Sequence, residues 1–210
     1  MNITNHKIYD FWESVVASGL PMQAEYNDVR FDIETRNLAD DIVFEENPHM
    51  KRACKLAANP AGSGHNNFLS GILVSANVTA TVKWWEQFQR YHFKQIVSSM
   101  STMHRLRKMA IDGTIQFNLL TNPDMVKAFI RLAKDDSVTD EELAYSCPMG
   151  LELTARITTN YLQLKTIYNQ RENHKLQEWK DFCLWIESLP FAKEFITGGK
   201  SLRREYEQNI

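Results

Sequence analysis

GHNNFLSGILVSANVTATVKWWEQFQRYHFKQIVSSMSTMHR, residues 64–105, is the stretch whose reading decides the fold. From Phe68 to Thr81 it is rich in β-branched residues and partly alternating, with a small-residue break at Ser70-Gly71, which predicts a β-strand. Trp84, Trp85 and Phe88 then switch the apolar spacing to that of a helix, and this helix is expected to carry Gln87, Arg90 and His92. Ser98, Ser99, Ser101 and Arg105 follow at once. Amides, hydroxyls and guanidinium groups all hydrogen-bond phosphate oxygens, and Arg does so with two parallel bonds. A strand feeding such a helix is therefore a layout for gripping a phosphorylated, aromatic ligand.

The pattern extends outward in both directions. Ile8, Phe11, Trp12, Val15 and Val16 predict a short helix over 7–18, broken at Gly19-Leu20-Pro21. Residues 24–47 are acidic and read as loop. HMKRACKLAA, residues 49–58, reads as helix and stops at Asn59-Pro60-Ala61-Gly62. Ile96, Met100, Met103, Leu106 and Met109 form a stripe that continues as helix, or an interrupted helix, over 94–110, and Asp112-Gly113 is a turn. Asn122-Pro123 opens a helix to about Lys134, with Pro at its first position. Thr139 and Glu142 form a capping box for a short helix. After Cys147-Pro148-Met149-Gly150, LELTARITT predicts a second strand. Tyr161, Leu164, Ile167 and Tyr168 make a helix face ending near Arg171, and Leu176, Trp179, Phe182 and Cys183 make another, from about His174 to Glu187, ended by Pro190. The tail SLRREYEQNI is highly charged and expected to fray. The class is α+β: a small, mostly antiparallel sheet with surrounding helices. No repeat or linker marks a boundary, so the chain reads as one domain over 1–210.

Composition removes several function classes. The chain has 210 residues, 43% of them hydrophobic and 24% charged, an ordinary globular balance. A net charge of -2 gives no global attraction to a nucleic acid polymer or to an anionic membrane. No apolar run reaches the ~18 residues of a membrane span, and MNITNHKIYDFW lacks the form of a secretory signal. Three cysteines without CxxC spacing argue against a disulfide framework and a zinc site, and fit a cytoplasmic protein. None of the six histidines forms a metal pair at helical spacing, so no metal is expected. There is no GxGxxG, GxxxxGK[ST] or GxSxG.

The order of residues resembles the flavin-dependent thymidylate synthases, over roughly 50–190. Gly64-His65 resembles the Gly-His that heads the family's long strand. Gln87-Phe88-Gln89-Arg90-Tyr91-His92 is similar to its Gln-x-x-Arg-His-Arg. Ser99-Met100-Ser101 lies near its active-site serine, with a one-residue shift. Asn160 matches a flavin-contacting Asn, Arg171 the Arg that polarises the pyrimidine ring, and Gln177 the Gln that follows. Four positions depart: Tyr91 and His92 replace a His and an Arg, Ala144 stands where a substrate-binding Arg is expected, and Met103 where another is, with Arg105 nearest. These departures are those of a divergent, phage-like branch.

The resemblance implies a divergent segment over 1–48, a family-like core over 49–190 and a charged tail over 191–210. It implies FAD held by His65, Arg90, Tyr91, His92 and Asn160. It implies a pyrimidine deoxynucleotide bound by Gln87, Ser101, Arg105 and Arg171, with Arg171, Ser99 and Ser101 catalytic. Reduced nicotinamide and methylenetetrahydrofolate would be co-substrates, in a homotetramer with sites between subunits. The chemistry implied is one-carbon transfer to carbon 5 of the base. A cation beside the ring carbonyls would stabilise developing negative charge, in place of a cysteine nucleophile. The alternative is a member that keeps the fold as a nucleotide-binding or assembly protein without catalysis.

Overall fold

Val74, Ala76, Val78 and Ala80 are all fully buried and alternate with Ser75, Asn77, Thr79 and Thr81. That period of two builds the central strand β2, Leu73–Thr81. The computed structural model describes residues 1–22, 47–60 and 62–202. The loop expected over 24–47 lies, up to Glu46, outside the described residues, as does the tail from Arg203 onward. Among the described residues four strands form one small antiparallel sheet: β1 (Asn2–Tyr9), β2, β3 (Lys94–Ser99) and β4 (Glu152–Asn160), in the order β1-β2-β4-β3.

The chain divides into two compact units, Met1–His6 with Ala76–Thr158, and Lys7–Ser75 with Thr159–Ile210. The borders fall inside β1, β2 and β4, where the chain runs on as continuous strand, so no linker composition marks them.

In the first unit, α3 (Val82–Phe88) begins where Thr81 Oγ1 accepts from the Trp84 N–H at 3.2 Å. Trp84 and Phe88 stack at 4.7 Å in the core. The helix stops at Phe88, earlier than expected. Its last turn tightens through Arg90 N–H to Gln87 O and Tyr91 N–H to Phe88 O. Arg90, Tyr91 and His92 therefore sit on the link to β3 and not on the helix. The helix expected over 94–110 is also corrected. Residues 94–99 are strand, and α4 (Thr102–Ile111) begins only where Ser101 caps His104 N–H at 3.3 Å. The strand continues into a backbone bond from Met100 N–H to Thr154 O at 3.0 Å.

α5 (Pro123–Ala133) and α6 (Asp140–Tyr145) start where expected, the first capped by Asn122 and the second by the Thr139–Glu142 box. Leu106, Ala110, Phe129, Ala133, Leu143 and Leu151 close the core between them. Arg107 binds the connection from α5 to α6, donating to the carbonyls of Ala133 at 2.9 Å, Asp135 at 3.3 Å and Val138, and to the Asp140 carboxylate at 2.6 Å. On the sheet, Thr79 and Thr154 hydroxyls pair at 2.7 Å across β2 and β4.

In the second unit, residues 7–9 finish β1. Asp10, at φ +54, turns the chain into α1 (Phe11–Ala17), so the first helix begins later than expected. α2 spans Pro48–Ala57. Residues 67–70 form a short 3-10 turn, so strand begins at Leu73 and not at Phe68. α7 (Tyr161–Arg171) is followed by α8 (Gln177–Glu187) and a π-helical turn, Lys193–Thr197. Phe11 packs on Tyr161 at 6.1 Å and on Phe195 at 5.7 Å, and Phe68 meets Phe195 edge-on at 5.5 Å. This aromatic cluster fixes α1, α7 and the π-helical turn together.

Candidate functional site

The expected site residues divide between the units. Gln87, Arg90, Tyr91, His92, Ser99, Ser101 and Arg105 belong to the first, and His65, Asn160 and Arg171 to the second.

The first unit holds a cleft of about 490 Å³. That size suits a small ligand. One wall is Val82, Trp85, Glu86 and Gln89, the face that i, i+3, i+4 and i+7 make on a helix. Ile96 and Ser99 of β3, Leu153 and Ala155 of β4, Thr102 and Met149 complete it. The Trp85 indole N–H donates to Leu153 O at 3.0 Å and locks the ring in the wall. Glu86, Gln89, Ser99 and Thr102 supply the polar groups.

Of the expected residues only Ser99 lines this cleft. Ser101 is half-buried and caps α4. Gln87 is half-buried on α3, and Tyr91 is buried against Phe88 at 6.3 Å. Arg90, His92 and Arg105 are exposed. The Glu86 carboxyl is held below its usual value chiefly by a 2.9 Å hydrogen bond from Lys83 and by that ammonium's charge; the Arg90 charge adds to this. Glu86, Gln89, Thr102 and Met149 escaped the sequence reading. The signal for Glu86 and Gln89 was present in the 82-85-86-89 spacing, once the start of α3 is placed at Val82; Thr102 and Met149 come from other elements and had none.

In the second unit, Gly64 has φ +79, a conformation that favours glycine, and presents His65 on an exposed turn. Asn160 caps α7: its Oδ1 accepts from Gln163 N–H at 2.8 Å, which leaves the Nδ2 donor for another partner. The Tyr161 N–H bonds Ile72 O at 3.0 Å, so the start of α7 lies beside the segment that leaves His65. Arg171 ends α7 with its guanidinium carbon 4.6 Å from the centre of the Trp179 ring. Eleven residues make about three turns, so Asn160 and Arg171 share one face of α7 at about 16 Å separation. Gln177 is exposed and bonds Asp181 at 3.0 Å.

Burial pushes the Cys147 thiol up to about 11 and the Cys183 thiol up to about 12, the opposite of what a nucleophilic thiolate needs. Among the described residues no group of three or more His, Cys, Asp or Glu is placed to hold a metal ion. No described helix is long and apolar enough to cross a membrane. Exposed Arg90 and His92 in the first unit, and the Asn160 amide in the second, are each donors of the kind that bonds the pyrophosphate of a dinucleotide such as FAD.

The fold is that of the flavin-dependent thymidylate synthases. Thymidylate synthase X (ThyX) from Helicobacter pylori, in a crystal structure with FAD and dUMP, is similar at a TM-score of 0.66 and 13% identity. The match covers 95% of this chain and 99% of that one. A second structure, flavin dependent thymidylate synthase ThyX from Helicobacter pylori complexed with FAD and dUMP, matches at 0.64 and 12%, over 96% and 100%. No protein-family profile and no curated protein sequence matches the chain.

Proposed function

We propose that this chain is a flavin-dependent transferase moving a one-carbon unit from methylenetetrahydrofolate to carbon 5 of a pyrimidine deoxynucleotide. Conversion of dUMP to dTMP is the default; a hydroxymethylating or dCMP-using form is the variant. The observation that carries the reading is the fold likeness, over nearly the whole of both chains, to proteins whose structures hold FAD and dUMP.

In this reading His65, Arg90, Tyr91, His92 and Asn160 hold FAD. Gln87, Ser101, Arg105 and Arg171 hold the nucleotide. Bound flavin, reduced by a nicotinamide, supplies the electrons for the transfer. Arg171 places positive charge at the ring carbonyl where negative charge develops, and Ser99 or Ser101 donates a hydrogen bond to the nucleotide. Sites lie between subunits of a cytoplasmic homotetramer. The test is incubation with FAD, a nicotinamide reductant, methylenetetrahydrofolate and each pyrimidine deoxynucleotide in turn, with products read by mass. A yellow protein and a methylated or hydroxymethylated product support the reading. A colourless protein that takes up no FAD and forms no product overturns it.

One observation favours a second reading. Asn160 and Arg171 each already serve a structural contact, with Gln163 and with Trp179. A family-like chain that lost catalysis would keep both. Nucleotide binding without product in the same incubation identifies that case.

A further inference from the structure

Tyr161, Leu164, Lys165 and Tyr168 recur at the spacing of one helix face, and that face of α7 is buried. A lysine in such a stripe breaks the apolar pattern. Lys165 is only 8% exposed, and desolvation lowers its pKa from the ordinary lysine value. Its ammonium donates to the carbonyls of Ala57 and Asn59, the latter at 2.9 Å. These are acceptors at the C-terminal end of α2, where a helix leaves carbonyls unpaired and concentrates negative partial charge. A buried cation with neither bonds nor such a field would be expelled or neutralised.

The Asn59 carbonyl is shared. Asn66 Nδ2 donates to it at 2.8 Å and to Pro60 O at 3.2 Å. Asn66 is 1% exposed, and its Oδ1 has no partner among the described residues. Both N–H groups of this amide face carbonyls, so its orientation is set by the backbone it holds. Lys165 thus grips the first end of the segment 59–66, and Asn66 draws the second end onto the same carbonyl. Between them lies the turn with Gly64 and His65. The helix that supplies Lys165 also carries Arg171, and Asn160 caps it.

We propose that Lys165 is a positioning residue, a buried ammonium that latches the His65 turn to α7 and so holds His65 in register with Asn160 for the flavin. The latch stands on geometry alone; its consequence for the flavin rests on the function proposed above.

The test compares wild type with Lys165→Met, which keeps the stem and removes the charge, and with Asn66→Ala, which frees the other end. The readouts are amide hydrogen exchange without ligand, FAD titration by fluorescence, and kinetics at varied FAD. In both variants, exchange at Asn67 and Leu69 accelerates about tenfold or more, while amides of α5 and α8 keep wild-type protection. The FAD dissociation constant rises by a similar factor, with kcat at saturating FAD near wild type.

Unchanged exchange at Asn67 and Leu69, or acceleration spread evenly over the second unit, overturns the latch. A loosened turn with wild-type FAD affinity overturns the positioning role. Wild type that takes up no FAD overturns the proposed function and the positioning role with it, and the latch is then decided by exchange alone. If Lys165→Met does not fold, Asn66→Ala decides both points by the same readouts.

Discussion

The Arg171 guanidinium lies over the ring of Trp179, with its central carbon 4.6 Å from the ring centre. Trp179 is fully buried at the start of α8, so the contact gives the cation a fixed bed. A guanidinium carries its N–H donors in a fixed planar fork, which an ammonium at the same place does not offer. Arg171→Ala is expected to lower kcat about 10²–10³-fold, the usual cost of removing one donor aimed at developing charge. Stability should fall as well, with about 1–2 kcal/mol from the lost cation–π contact on the buried Trp179 ring. Steady-state kinetics and urea melts check both halves. Wild-type turnover in this variant would end the ring-polarising assignment.

Asn160 separates two roles within one side chain. Oδ1 caps α7 through the Gln163 N–H, and Nδ2 is the donor offered to cofactor. Asn160→Asp keeps the cap, because Asp and Asn cap about equally well, and replaces the donor with a charged acceptor. Its melting point should stay near wild type while FAD affinity falls. Asn160→Ala should lose both, with about 1 kcal/mol of stability. Equal FAD affinity in wild type and the Asp variant, by fluorescence titration, would remove Asn160 from the cofactor set.

Arg107 is a structural counterpart. Its side chain is 24% exposed and that of its ion-pair partner Asp140 is 61% exposed, so the pair itself contributes little. The bonds to three carbonyls between α5 and α6 carry the effect. Arg107→Met is expected to cost about 2 kcal/mol and Asp140→Asn under about 1 kcal/mol. Urea midpoints at unchanged m-value measure the difference.

Local signals were the legible ones. The Asn122-Pro123 start, the Thr139–Glu142 box and the buried alternation of β2 each lie within a few residues of the structure they specify. β1 and β3 were not legible because they are the outer strands of the sheet. In NITNHKIY no residue is buried, so no alternation records a core. In β3 only Lys94 and Ile96 are even half-buried, and Val97 is 60% exposed. The apparent stripe from Ile96 to Met109 joined this strand to the helix after it. Met100 and Met103 are exposed, and only Leu106 and Met109 face the core. In the candidate site, residue types and order were readable, but the cleft depended on where α3 begins. The Lys165 latch depended on carbonyls that no sequence pattern displays.

Cys147 and Cys183 give a pH-dependent consequence. Both thiols start from a usual value of 9.0, and burial pushes them up to about 11 and about 12. A raised folded-state pKa stabilises fully below the unfolded value. Above about 9 the unfolded thiols ionise while the folded ones stay neutral, so stability is lost as pH climbs toward the folded values. Cys183→Ala should therefore flatten the fall of the urea midpoint between about pH 8 and about pH 10, relative to wild type. Lysines and the other tyrosines titrate in both proteins, so the difference between them reports the thiol together with its charge coupling to Tyr168. The same burial bears on mechanism. A ring-activating nucleophile must be a thiolate near neutral pH, and neither group meets that requirement. Cys147→Ala and Cys183→Ala should keep turnover within about threefold of wild type at saturating substrates, since neither removes transition-state stabilisation. Loss of turnover in a folded variant of either kind would instead point to attack on the base by sulfur.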